Sequence, residues 1–329
     1  MFEDDALNRY RISLTDLKQQ SSNMKIAIIG QQDFGKAALE AFVARGDTVA
    51  AVFCAPDKPG ARPDALHVAA KAMGLPVLQF ASLRGNDAAA ALRALDVDLG
   101  VMAYVLQFAP QTLMDIPKHG TIQYHPSLLP KHRGPSSINW PIAMGETETG
   151  LTIFRPTDGL DEGPVILQKK CAIGPDDTLG DVYFKHLFPS GVTALLEAAD
   201  LVVSGKYQQI EQDDTNASYE GWFRDAEAKI NWANPVDQVY NLIRAANPAP
   251  GAWCMLGGIK VRLFDSRKHV LRTFGAARGQ TGEISRLTDE SIFINAQGGQ
   301  IEVMRLKPDG DQKMNAAEFA RSHTLDVVG

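Results

Sequence analysis

Three cysteines in 329 residues, Cys54, Cys171 and Cys254, lie far apart and form no CxxC spacing. That leaves no disulfide framework and no thiolate metal knuckle; reduced, partly buried thiols of a cytoplasmic protein fit instead. The seven histidines offer no HxxxH pair. His119, His125 and His132 have no cysteine beside them, so no metal is expected. Apolar runs stop short of the roughly 18 residues that span a bilayer, and no membrane partner is expected. Residues 1–23, MFEDDALNRYRISLTDLKQQSSN, lack the apolar stretch of a signal peptide. They read as a poorly ordered polar leader ahead of MKIAIIG. A net charge of −6 argues against a broad phosphate-neutralising surface. Nucleotide-binding glycine motifs are missing too. The first strand–helix turn, GQQDFG, is neither GxGxxG nor a Walker A loop.

What is present is an ordinary globular balance, 45% hydrophobic and 22% charged, able to bury a core unaided. The length suits two domains. KIAII at 25–29 predicts a strand, 34–45 a helix stopped by Gly46 and Asp47, and VAAVF at 49–53 a second strand. The alternation continues with a helix at 65–73, a strand at 76–80, a helix at 87–95 and strands at 99–104 and 120–125. LGVMAY is a near-continuous apolar run, as in a strand covered on both faces. Strand–helix–strand order of this kind predicts a mostly parallel α/β sheet. A helix over 136–144, a hairpin-like pair at 151–156 and 165–170, and a long helix over 179–204 complete a first domain at 24–204. The polar stretch 205–221 predicts a linker. Within 222–329, a helix at 236–246 precedes short strands between glycines, at 252–256, 259–264, 282–285, 291–296 and 301–306. That spacing predicts a small barrel or antiparallel sheet.

One stretch, YHPSLLPKHRG, places a titratable ring at the end of a strand. Pro126 restricts His125 to extended geometry and ends the strand there. Parallel sheets bind ligands outside the carboxyl ends of their strands. Three segments are expected at that rim: 104–110, the turn after His125, and TDGLDEG at 157–163. Asp161 is the carboxylate suited to meet His125, fixing its tautomer and stabilising the imidazolium, as a general acid/base requires. Each feature alone has a plainer reading. A histidine after a strand is by default a structural hydrogen-bonder, and Asp158 and Asp161 are by default turn residues. The Met, Leu and Phe side chains around 101–108 are by default core. His132 and Arg133 are by default a solvated bend, with contact to the glutamate tail of folate as the alternative. Trp232 and Trp253 by default serve packing, with service to an acceptor as the alternative.

Taken together, HPSLLPKHRG and GLDEG, with His125 and Asp161, resemble the folate-dependent formyltransferases over about residues 24–310. The run AKINWANPVDQVYNLIRAANPAPGAW is similar to the second domain of the methionyl-tRNA members. Within the family, YHPSLLPKHRGPSSINW, TDGLDEGPVILQKKCAIGPDDT and PDKPGARPDAL are most similar to the hydrolase domain of 10-formyltetrahydrofolate dehydrogenase. The resemblance implies a Rossmann-like sheet (the formyltransferase fold) followed by a small, barrel-like (OB-like) β-rich domain. It implies 10-formyltetrahydrofolate as formyl donor, with no metal, and His125 and Asp161 as the catalytic pair. Leu106, Gln107, Phe108, Ala109 and Asp161 are implied to bind folate, with Tyr104 flanking and the SLLP turn closing one side. One position departs from the pattern. Transferases carry Asn two residues before the histidine and the hydrolase domain an apolar residue; here it is Gln123. It keeps an amide donor on a longer stem, either as a catalytic oxyanion donor or as a filler bonded to backbone.

Water is the expected acceptor, giving tetrahydrofolate and formate. Transfer to an amine (an amino-sugar nucleotide, a small metabolite or methionyl-tRNA) is the alternative, and a silent folate-binding protein a third reading. The loop after the second strand carries Lys58 and Arg62 but no basic run, so a nucleic acid partner is expected only under the amine reading. The dehydrogenases continue into carrier and aldehyde dehydrogenase domains. This chain ends at Gly329 without them, leaving a separate dehydrogenase or carrier partner as an expectation.

Overall fold

The computed structural model describes residues 23–271 and 279–328; the expected leader, apart from Asn23, lies outside the described residues. The chain divides into two compact units. The first gathers the described residues up to Gly134 with Gly150–Cys171 and Phe184–Tyr219; the second gathers Pro135–Thr149, Ala172–Tyr183 and those from Glu220 on. Residues 205–219, expected as a linker, therefore belong to the first unit.

That unit is built on a seven-stranded sheet in the order β3-β2-β1-β4-β5-β6-β7. Its strands are β1 (Lys25–Gly30), β2 (Thr48–Cys54), β3 (Val77–Gln79), β4 (Leu99–Ala103), β5 (Thr121–His125), β6 (Glu148–Phe154) and β7 (Val165–Ala172). The pairings among β1 to β5 are parallel, and β5 meets β6 antiparallel. Helices α1 (Gln32–Arg45), α2 (Ala65–Ala72), α3 (Asn86–Leu95) and α4 (Gln111–Met114) follow β1, β2, β3 and β4. Successive strand residues point to opposite faces. Ala27, Ile29, Ala51, Phe53 and Met102 share one core cluster with Leu83, Leu92 and Leu113. Ile26, Ile28, Val52 and Val101, the alternate positions, are equally inaccessible. Burial on both faces explains the unbroken apolar runs, and each buried Ile, Val or Phe side chain contributes about 1.5–3 kcal/mol.

The strand order reverses between β1 and β4, and the two strands end side by side there. A Cβ on Gly30 would lie 2.2 Å from the Ala103 carbonyl oxygen, so only glycine permits the approach. Asp64 accepts from the backbone N–H of Gln32 at 2.9 Å and of Leu66 at 2.9 Å. One carboxylate thus serves the first turns of α1 and α2, where free N–H groups attract negative charge.

The expected long helix is interrupted. A helical turn at Leu179–Asp181, capped by Thr178, passes into a π-helical segment at Val182–Leu187 and then into an α-helix at Phe188–Val203. Pro189 has no N–H to donate and sits in the first turn of that last helix, where none is needed. By length and composition the 25-residue stretch Leu179–Val203 could cross a membrane, with mean hydropathy 1.2, although no such run was expected. Half of its apolar window is buried in the protein, and the Phe188–Val203 helix packs on α1 and β5.

The second unit holds α5 (Asn139–Met144), α7 (Val236–Ala245, with Phe188–Val203 counted as α6) and an antiparallel sheet. Its strands are β8 (Ala252–Leu256), β9 (Ile259–Val270), β10 (Ile284–Leu287), β11 (Ile292–Ala296), β12 (Gly299–Pro308) and β13 (Met314–Asn315), followed by α8 (Ala316–Ser322). The path runs β10-β11-β12-β9-β8, with β13 on β12. The Trp253 indole donates to the Asp225 carbonyl at 2.6 Å, and Lys260 lies 4.1 Å from the ring centroid, a packing role. Burial pushes the Cys54 thiol up to about 11 and the Cys254 thiol to about 12. Neither presents a thiolate at neutral pH.

Candidate active site

His125 is the last residue of β5 and is 5% exposed. Its Nε2 lies 2.8 Å from the His132 carbonyl oxygen. A carbonyl can only accept, so Nε2 carries the hydrogen. Nδ1 then faces Asp161, with Oδ2 3.5 Å away. That is longer than an ordinary N–H···O bond, so Nδ1 is the ring nitrogen that meets the space shared with the carboxylate. Asp161 is 8% exposed. Its Oδ2 accepts from the Gly134 N–H at 2.9 Å, and its Oδ1 from the Gln123 side-chain amide at 3.5 Å. The structure therefore brings His125, Asp161 and Gln123 together. Asp158 is placed elsewhere, accepting from the Gln111 N–H at 2.8 Å at the start of α4.

The route of the Asp161 loop differs from expectation. β6 runs antiparallel to β5, pairing His125 with Thr152 and Gln123 with Phe154. Its carboxyl end thus points away from the rim on which β5 ends, and the loop at 157–163 reaches His125 by folding back. Two backbone features set its course. A Cβ on Gly163 would lie 1.6 Å from the Arg155 carbonyl oxygen, and Asp161 is left-handed at φ +56°.

The turn after His125 is held from below. Thr152 Oγ1 donates to the Ser127 carbonyl at 2.7 Å and accepts from the Leu129 N–H at 3.1 Å. The Gln168 amide adds a bond to the Leu129 carbonyl at 2.8 Å. His132 and Arg133, expected as a solvated bend, are instead 4% and 3% exposed. The reason is a set of partners too distant in sequence to foresee. Arg133 pairs with Asp214 at 2.7 Å and bonds Gln212 through Nε and Nη2. The His132 N–H donates to Ser218 Oγ at 2.9 Å.

The expected folate loop separates into anchored and exposed parts. The Gln107 amide donates to the carbonyls of Phe80 at 2.9 Å and Ala81 at 3.0 Å. Ala109 is buried in the core cluster. Leu106 and Phe108, by default core, are 56% and 43% exposed, and the Arg84 guanidinium lies 4.4 Å from the Phe108 ring. Tyr104 opens the loop in left-handed geometry at φ +60°. A cavity of about 320 Å³ lies at the amino end of β5, lined by Gly120 and Thr121 with Gln111, His119, Arg155 and Gln209. Among the described residues, no group of three His, Cys, Asp or Glu side chains is gathered to hold a metal.

A buried imidazole and carboxylate, with an amide beside them, at the carboxyl end of a parallel strand is the arrangement of an α/β acid–base enzyme. Residues 24–199 match the formyl transferase family and residues 223–324 the formyl transferase C-terminal domain, and the chain belongs to that family. It is 39% identical over 250 residues to mitochondrial 10-formyltetrahydrofolate dehydrogenase of Mus musculus, covering 74% of this chain and 27% of that protein. It is 32% identical over 311 residues to methionyl-tRNA formyltransferase of Syntrophus aciditrophicus (strain SB), covering 93% of this chain and 98% of that protein. The chain thus spans about a quarter of the dehydrogenase and nearly all of the tRNA enzyme. HypX from Aquifex aeolicus, solved with tetrahydrofolic acid, shares the fold at a TM-score of 0.66 and 18% identity, over 93% of this chain and 48% of that one.

Proposed function

We propose that the protein takes 10-formyltetrahydrofolate and transfers its formyl group to water, releasing tetrahydrofolate and formate. The observation that carries this reading is the buried approach of His125 Nδ1 to Asp161 Oδ2 at 3.5 Å. The formyl carbon sits beside that gap, with the folate along the exposed Leu106 and Phe108. Asp161 takes a proton from water as its oxygen adds to the formyl carbon. The His125 ring enters the cycle as imidazolium, and its Nδ1–H and the Gln123 amide donate to the oxyanion that forms. Nδ1 then gives its proton to the departing folate nitrogen as the C–N bond breaks, and Asp161 returns a proton to the ring. Acid–base transfer of this kind is worth about 10²–10⁴ in rate, and each aimed oxyanion donor about 3–4 kcal/mol.

Water as acceptor is supported by the 39% identity to the dehydrogenase and by the likeness of the site motifs to its hydrolase domain. An amine acceptor is the second reading. The Gln123 amide, kept where the hydrolase domain has none, favours it, as does the end-to-end match to methionyl-tRNA formyltransferase. The test is incubation with 10-formyltetrahydrofolate alone. Catalytic release of tetrahydrofolate and formate is expected. Release only after an amine is added would move the assignment to transfer, and binding without turnover in either case would end both.

A further inference from the structure

We propose that residues 212–219 are a strap that positions the acid–base pair, with Gln212 as the positioning residue. The proposal rests on His125 and Asp161 being the reacting pair. Gln212 Nε2 donates to two carbonyls of the site loop, Asp161 at 2.8 Å and Gly163 at 2.7 Å. Its Oε1 receives Arg133 Nε at 3.0 Å and Nη2 at 2.9 Å. Both donors and both lone pairs of the amide are therefore in use. A flipped amide would set oxygen against two carbonyls and N–H groups against a guanidinium, so its orientation is fixed. Those two bonds fix the backbone at and just after Asp161, whose left-handed conformation needs outside support.

The rest of the strap grips both loops. The Tyr219 hydroxyl donates to the Leu160 carbonyl at 3.1 Å and meets the Glu162 carboxylate. Ser218 accepts at Oγ from the His132 N–H at 2.9 Å and at its carbonyl from the Arg133 N–H at 3.0 Å. Its own N–H donates to the Pro130 carbonyl at 3.2 Å. His132 in turn supplies the carbonyl that fixes His125 Nε2. One polar segment thus holds the loop that orients the imidazole and the loop that carries the carboxylate. Arg133, pinned between Gln212 and Asp214 with its guanidinium 5.6 Å from the Tyr219 ring centroid, joins the two.

The test substitutes Gln212→Glu, which keeps the acceptor for Arg133 and replaces the donor facing the two carbonyls by oxygen. With the acceptor that the wild type uses, kcat is expected to fall about 10- to 100-fold, as for a misplacement near 1 Å, while KM for 10-formyltetrahydrofolate stays within about two-fold. The His125 ring resonances, assigned by their loss in His125→Asn, are expected to shift. Ser204→Ala, which removes an exposed hydroxyl bonded to the Asp200 carbonyl at the end of α6, outside the strap and the site, should leave both readouts unchanged. Wild-type kcat with unmoved ring resonances in Gln212→Glu would overturn the proposal. If that variant does not fold, the neutral Gln212→Met is read in the same assays. Failure of both to fold while Ser204→Ala folds would overturn positioning in favour of a structural role. Wild-type turnover in His125→Asn would remove the reacting pair itself, a result distinct from any outcome at Gln212.

Discussion

The loops around His125 and the turns of the second unit's sheet meet the same backbone demand in opposite ways. Left-handed geometry is least strained at glycine. The turns of the second unit's sheet place it there: Gly257, Gly258, Gly298 and Gly310 have φ of +55°, +77°, +77° and +82°. Around the site it falls on Gly134 at +87° and also on three residues with side chains, Tyr104, His132 and Asp161, at +60°, +54° and +56°. A side chain in that region costs about 1–2 kcal/mol. Where a strand has only to turn, glycine suffices. Where a carboxylate has to be aimed, glycine cannot serve, and the strain is held by Gly134 and Gln212 around Asp161 and by Ser218 beside His132.

The sharpest way to break this contrast is at the pair itself. His125→Ala and Asp161→Ala are expected to lower kcat by about 10²–10⁴-fold, with near-native circular dichroism. Asp161→Gly should lose as much activity while unfolding at the wild-type temperature or above, because the left-handed residue no longer carries a side chain. An active Asp161→Gly would mean that the strain serves nothing. Next is Gly163→Ala, whose methyl group has no room beside Arg155. It should destabilise by about 1–3 kcal/mol in denaturant melts and lower kcat as well. Gln123→Leu comes third, at about tenfold in kcat, less than the 10²–10³ of a fully aimed oxyanion donor; an unchanged rate would make Gln123 a filler. The smallest effect belongs to Gly298→Ala. Its Cβ would meet open space, so only backbone strain of about 1 kcal/mol is expected, with kcat untouched. A drop in turnover there would show that the second unit's turns are not the passive half of the comparison.

Much of the first unit could be read from its apolar runs, because strands buried on both faces leave uninterrupted stretches such as KIAII and LGVMAY. The positions of β8 to β12 followed from glycine punctuation. β13, α4 and α8 escaped notice because elements of two, four and seven residues carry too little periodicity. At the site, His125 and Asp161 were legible through motif resemblance, and Gln123 through its departure from the motif. Gln212, Ser218 and Tyr219 were not. Their roles rest on single hydrogen bonds to residues far away in sequence, and such bonds leave neither composition nor period behind. The burial of His132 and Arg133 was hidden for the same reason. The antiparallel turn of β6 was also obscure, since an apolar run does not state its direction.

The carbonyl of His132 occupies one nitrogen of the His125 imidazole and leaves the ring a single gate. In the proposed reaction, any charge carrier the ring hands over departs through Nδ1 and has to be replenished through Nδ1. Solvent behind the ring would then take no share in that traffic, and each proposed cycle would be reset from the carboxylate's side alone.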